Sequence, residues 1–127
     1  MRILIIVTLQ FIAIDLFVQN SISNTKWKGH IEKPQPLDIV FEFKNDSLIV
    51  TSAEGLELEV MSFSQSKDTL KLKKLNGQSP CDYTVEGFYH LEWADSGDKL
   101  LLHMIKDDCV ARAKSITSGV GYFRVKD

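Results

Sequence analysis

The sequence predicts an all-β protein, an eight-stranded antiparallel up-and-down barrel with a short helical turn before its last strand. The first observation behind this is a recurring phrase: "FEFKNDSLIV" at 41–50, "FSQSKDTLKL" at 63–72 and "EWADSGDKLL" at 92–101. Each sets apolar residues around a polar centre that carries Asp46, Asp68 or Asp98, and then resumes alternating. Period-two alternation interrupted by turn formers is the signature of a β-hairpin. The second observation is that these hairpins share one apolar face. The third is that eight short segments follow one another with no low-complexity linker. A meander of that length leaves two unpaired edges unless the sheet closes on itself.

Before the barrel comes "MRILIIVTLQFIAIDLFVQNSIS". Arg2 supplies a positive start, an apolar stretch runs from Ile3 to Val18, and Ser21-Ile22-Ser23 offers small residues around a cut. We read residues 1–23 as a secretory leader. A membrane anchor needs about 20 apolar residues, whereas Thr8, Gln10 and Asp15 interrupt this run. The expected domain is therefore 24–127, secreted or periplasmic. With roughly one hundred residues it is short of core and gains from bracing. Cys81 and Cys109 both lie in it, and in an oxidising compartment they are expected to pair. The loop they close is worth about 3–4 kcal/mol by the chain-entropy argument.

Strands are expected at 25–32, 37–44, 47–53, 56–64, 69–75, 84–93, 99–106 and 119–126. Two-residue loops at Asn45-Asp46, Glu54-Gly55, Ser66-Lys67 and Ser96-Gly97 are the simplest joints. The first sets Phe43 opposite Leu48 and Phe41 opposite Val50. The second sets Val50 opposite Glu59 and Leu48 opposite Met61. The third sets Met61 opposite Leu72 and Phe63 opposite Leu70, and brings Glu59 across from Lys74. The fourth sets Trp93, Leu91 and Tyr89 opposite Leu100, Leu102 and Met104. Any one-residue slip would turn these side chains to the wrong face. Between the last two strands, "DDCVARAKSIT" suits one or two helical turns, with Asp107 or Asp108 as cap.

The tight hairpins then fall at one end of the barrel, where Phe43, Leu48, Phe63, Leu70, Trp93 and Leu100 form a plug. The longer connections and both cysteines fall at the other, loose end. Toward it the inward face turns polar, through Ser52, Glu57, Glu59 and Lys74.

The layout "NTKWKGHIE", the alternation of tight and loose joints, and the ending "SPC...GFYHLEW...DKLLLHMIKDDCVARAKSITSGVGYFRVK" resemble small secreted lipocalin-like proteins of the calycin group. The resemblance spans essentially the whole chain after the leader. It implies that Trp27 packs at the closed end beneath a basic residue of the last strand, Arg124 or Lys126. The pattern has glycine two residues before that tryptophan, and Thr25 stands there instead. The resemblance also brings out a "D-C-x-x-R" pattern in which Arg112 bonds loop carbonyls or an acid at the rim, or reaches a ligand carboxylate.

For function, the balance of 15 basic and 17 acidic residues, net −2, offers no footprint for nucleic acid or, once the leader is gone, for a membrane. The chain has no G-x-S-x-G, no H-E-x-x-H and no phosphate-cradling glycine loop, so no enzyme and no cofactor is expected. His90 and His103 face each other on the outer side without a third ligand in register, and His30 reads as an ordinary exposed residue, so no metal is expected either. Asn45-Asp46-Ser47 is a sequon for glycosylation if the source is eukaryotic.

The expected role is equilibrium binding of a small apolar or amphipathic ligand through the loose end. Phe41, Val50, Glu59, Met61, Lys74, Tyr89, Leu91 and Met104 would line the site. The alternative is a filled barrel that meets a protein partner, or inhibits one, through the loops joined by Cys81 and Cys109.

Overall fold

A computed structural model describes residues 20–126. Positions 1–19 of the expected leader lie outside the described residues. The described chain closes into a barrel of eight antiparallel strands, each hydrogen-bonded to its sequence neighbours and the first to the last. In order they are β1 (Thr25–Ile31), β2 (Leu37–Phe43), β3 (Ser47–Ser52), β4 (Glu57–Ser66), β5 (Thr69–Gly77), β6 (Glu86–Ala94), β7 (Lys99–Asp107) and β8 (Tyr122–Arg124). A helix, α1 (Val110–Ile116), precedes β8. The all-β barrel and its late helical turn are thus as the sequence predicts.

Three of the four expected registers hold. Phe41 and Phe43 face Val50 and Leu48, these face Glu59 and Met61, and Tyr89, Leu91 and Trp93 face Met104, Leu102 and Leu100. The β4–β5 hairpin differs. Its loop is Lys67-Asp68, because Lys67 takes a left-handed φ of 55° and Ser66 pairs with Thr69. Leu72 therefore faces Phe63 and Lys74 faces Met61. A shift of two residues keeps every side chain on its face, so the core survives the misreading.

Two strands start two or more residues later than expected, for local reasons. β6 begins at Glu86 because the Asp82 carboxylate accepts the N–H and hydroxyl of Thr84 (2.8 and 2.6 Å), holding a turn there. β8 begins at Tyr122 because Gly121, at φ 115°, breaks the extension.

The interior is filled. Trp27, Phe43, Leu48, Leu70, Leu72 and Tyr89 are fully buried or nearly so, and aromatic rings meet across the lumen: Phe43 with Phe63 at 5.1 Å, Phe41 with Tyr122 at 4.7 Å, Trp27 with Trp93 at 5.9 Å. Each such pair adds about 0.5–1.5 kcal/mol beyond its buried area. Trp27 lies at the tight end, with the Arg124 guanidinium 5.6 Å from its ring centroid, so Arg124 rather than Lys126 takes the basic role. Thr25, in the glycine's place, has its own use: its Oγ1 accepts the indole N–H of Trp27 (2.7 Å) and its hydroxyl donates to the Ile22 carbonyl (2.5 Å).

The sequence reading ended the leader at Ser23, yet Ile22 is fully buried in the core and its N–H donates to Gln65 Oε1 (2.9 Å).

The seam at β8 is only three residues long. It depends on Gly29, where an added Cβ would lie 2.6 Å from the Tyr122 ring. That ring is held by stacking on Phe41 and by its hydroxyl, which donates to the Ile116 carbonyl (2.6 Å), so it has nowhere to retreat. Gly29→Val is expected to destabilise the barrel by about 1–3 kcal/mol, read as a lower denaturant midpoint at unchanged m-value. An unchanged midpoint would show that the seam does not need this close approach.

Candidate functional site

The loose end collects the irregular parts of the fold. Three register shifts lie there, at Val50/Thr51, Val60/Met61 and Phe88/Tyr89. A bulge adds a residue to one strand and re-aims the side chains beyond it. On β7 the extra residue is Ile105, since Met104 faces Tyr89 while Lys106 faces Phe88. Counting by twos from Leu100 would put Asp107 outside. The bulge turns it inward, and its side chain is completely buried.

Asp107 is the centre of a closed polar cluster. Arg112, on the inner side of α1 one turn before Ile116, donates through Nε to Oδ2 (2.7 Å) and through Nη2 to Oδ1 (2.9 Å). This two-point match of guanidinium to carboxylate is the strong form of the ion pair. The Tyr89 hydroxyl donates to Oδ2 (2.5 Å), the Cys109 N–H to Oδ1 (2.9 Å), and Arg112 Nη2 also to the Val85 carbonyl (3.0 Å). The cluster thus joins β6, β7, the β5–β6 loop and α1. The Cys81–Cys109 disulfide joins the same loop to the start of the helix.

Asp107 is therefore neither exposed nor a helix cap. Cys109 occupies the cap position, without a side-chain bond. Burial would raise the Asp107 pKa, but Arg112, Tyr89 and the Cys109 N–H together hold it below the usual carboxylate range. Burial and the Asp107 hydrogen bond push the Tyr89 phenol far up, so it stays a donor. Against its desolvation, the Asp107 carboxylate raises the Arg112 pKa. Arg112 Nη1, on the far edge of the guanidinium, is buried and has no hydrogen-bond partner among the described residues.

Of the expected lining residues, Phe41, Val50, Met61, Tyr89 and Leu91 are all buried in one packed cluster. Glu59 and Lys74 are not opposite each other. Glu59 faces Gly77 and Lys74 faces Met61, and the two meet instead through Ser79. The Glu59 carboxylate accepts the Ser79 N–H (3.1 Å) and hydroxyl, while Lys74 Nζ donates to the Ser79 carbonyl (2.5 Å). Lys74 Nζ also lies 5.2 Å from the Tyr83 ring centroid. Both charges are thus spent on holding the β5–β6 loop. Met104 is half exposed, because the bulge after it lifts β7 from the core.

Apolar side chains also stand in the open at this end. Leu56, Leu75, Tyr83, Met104, Ile105 and Val110 are each at least half exposed. They sit on the β3–β4 connection, the last turns of β5 and β7, the β5–β6 loop and the first residue of α1. Two open hollows lie elsewhere, one between Thr25, Phe43 and Arg124 at the tight end and one on the outer wall around Ser62, Lys71 and Lys73.

The histidines are on the outside. His90 and His103 stack at 6.2 Å, and His103 Nε2 meets Glu92 (2.6 Å). His30 lies between Asp38 (2.7 Å) and Glu32 (2.9 Å), and its pKa is raised chiefly by the Asp38 hydrogen bond. Among the described residues, no group of three or more His, Cys, Asp or Glu is placed to hold a metal ion. No described helix is long and apolar enough to cross a membrane.

No family model, no curated protein sequence and no solved structure matches the chain. The geometry of the loose end therefore carries the functional argument alone.

The sequence pointed to Arg112 but missed Asp107, Ser79 and the apolar rim. The D-C-x-x-R pattern starts at Asp108, and the bulge that turns Asp107 inward to Arg112 leaves no mark in it.

Removing the guanidinium by Arg112→Ala would leave the Asp107 carboxylate buried without its cation, at an expected cost of about 3–5 kcal/mol. The pH dependence has a definite sign. A folded pKa below the unfolded one contributes stability that is full above the unfolded value and is lost as pH falls through the folded value. The intact protein should thus lose stability below about pH 4, and the gap to Arg112→Ala should narrow as pH falls, measured by denaturant titration at pH 7, 4 and 2.5. A gap independent of pH would refute the pairing.

Proposed function

We propose that this protein is an exported, non-catalytic, lipocalin-like module that docks a partner protein through the apolar rim of its loose end. The observation that carries this reading is the packed lumen. Five of the eight residues expected to line a ligand site are buried against one another, with Trp27, Ile116 and Tyr122 completing the same cluster. A ligand of ordinary size needs a site of about 300–1,000 Å³, and in this barrel that volume would have to come from displaced core side chains.

The rim supports the docking role. Apolar groups in the open, beside loops that are braced rather than free, suit a surface that must keep its shape while it waits for a partner. The disulfide, the Asp107–Arg112 pair and the Ser79 cluster supply the bracing. Tyr83 is the natural anchor, since aromatic residues dominate the energetics of interfaces. Export rests on the leader-like segment, and the disulfide fits an oxidising compartment.

One observation favours the small-ligand reading, the unpartnered Nη1 of Arg112. It would suit a carbonyl or carboxylate oxygen brought in beneath α1.

Two measurements separate these readings. A hydrophobic fluorescent probe should not be taken up stoichiometrically by the native protein. A photo-crosslinker at position 83 should trap one defined partner in the native host, whereas the same group at position 45, at the tight end, should not. Stoichiometric probe uptake, or a natural small molecule released on extraction, would overturn docking in favour of ligand binding. Equal crosslinking at both ends would remove the rim as the docking surface.

A further inference from the structure

The pattern of small residues in the leader and the packing of the barrel disagree about where the mature chain begins. Ser21-Ile22-Ser23 offers the small-x-small arrangement that favours a cut after Ser23. Such a cut would discard Ile22, which is fully buried at the tight end.

Ile22 is not an incidental contact. It belongs to the same apolar cluster as Trp27, Phe43 and Leu70. Its N–H donates to Gln65 Oε1 (2.9 Å), and its carbonyl accepts the Thr25 hydroxyl (2.5 Å), whose oxygen in turn accepts the Trp27 indole N–H (2.7 Å). Gln65 is fixed from its other side, because its Nε2 donates to the carbonyls of Asn20 (2.7 Å) and Lys67 (2.8 Å). One hydrogen-bonded line therefore runs from the β4–β5 hairpin through Ile22 to the Trp27 ring. Asn20 and Ser21, by contrast, are exposed.

Losing residues 20 and 21 would cost two hydrogen bonds, Gln65 Nε2 to the Asn20 carbonyl and the exposed Ser23 N–H to Ser21 Oγ (3.3 Å), after which Gln65 Nε2 still has the Lys67 carbonyl. Losing Ile22 as well would open a side-chain-sized gap in the buried cluster and leave Thr25 without its acceptor. Deleting a buried aliphatic group costs its transfer free energy together with the cavity left behind.

We infer that maturation retains Ile22: the leader is removed at or before the bond between Ser21 and Ile22, and the Ser23-Asn24 bond is not the processing site. Ser21 then supplies the small residue before the cut, and the new amino group of Ile22 still has Gln65 Oε1 as acceptor. The inference rests on the leader reading of the N-terminus and is independent of the docking surface.

The test is the intact mass and N-terminal sequence of protein exported from the full chain with its own leader. A first residue at Asn20, Ser21 or Ile22 is expected. A first residue at Ser23 or beyond overturns the inference and leaves export standing. An uncut chain overturns the inference and the leader reading together, and leaves the docking proposal to its own crosslinking test. The plug itself is checked by melting: Ile22→Ala should lower Tm by at least about 8 °C, and Ser23→Ala by no more than about 2 °C. Equal melting of the two variants would show that Ile22 closes nothing.

Discussion

Eight strands closed on themselves enclose one interior, and that interior has to be filled by their own side chains. An eight-stranded barrel is just wide enough for this. Here aromatic rings do most of the filling, with Phe41 against Tyr122, Phe43 against Phe63 and Trp27 against Trp93. The seam, the plug and the lid all follow from that requirement. Gly29 lets Tyr122 approach closely enough for a three-residue strand to close the sheet. Ile22 stops the tight end, and Ile116 brings α1 down over the loose one.

The two ends meet the same constraint with different chemistry. At the tight end short hairpins bring apolar residues together; the indole N–H of Trp27 is satisfied locally by Thr25, whereas that of Trp93 is buried without a hydrogen-bond partner among the described residues. At the loose end the connections are long and carry charges inward, and a buried charge is tolerable only when paired and hydrogen-bonded. Asp107 receives four donors from three residues, and the carboxylate of Glu59 is taken up by Ser79. These clusters hold the loops in place, which leaves the exposed apolar rim on a fixed frame. The exposed apolar rim and the filled core are thus two consequences of one packing solution.

How much could be read beforehand is clearest in particular residues. Phe41, Phe43, Leu48 and Val50 alternate without interruption across the Asn45-Asp46 turn, so their pairing followed from the turn alone. The partners of Lys74 did not. The loop choice between Ser66-Lys67 and Lys67-Asp68 depends on whether Lys67 adopts a left-handed φ, and a lysine gives no local sign of that. Ile22 was concealed differently, since an apolar residue beside an apolar N-terminal stretch reads as part of the expected leader.

The sequence by itself determined the strand order, the face each strand buries up to its bulges and the closing of the sheet, because alternation and turn chemistry are local, and it pointed to the pairing of Cys81 with Cys109 because the chain has just two cysteines. Only the tertiary structure decided that the lumen is full, that Asp107 points inward to Arg112, and that Leu56, Tyr83 and Val110 stand exposed around one end. Those facts depend on bulges and on the volumes of side chains distant in the chain, which sum to a packed interior only once the barrel has closed.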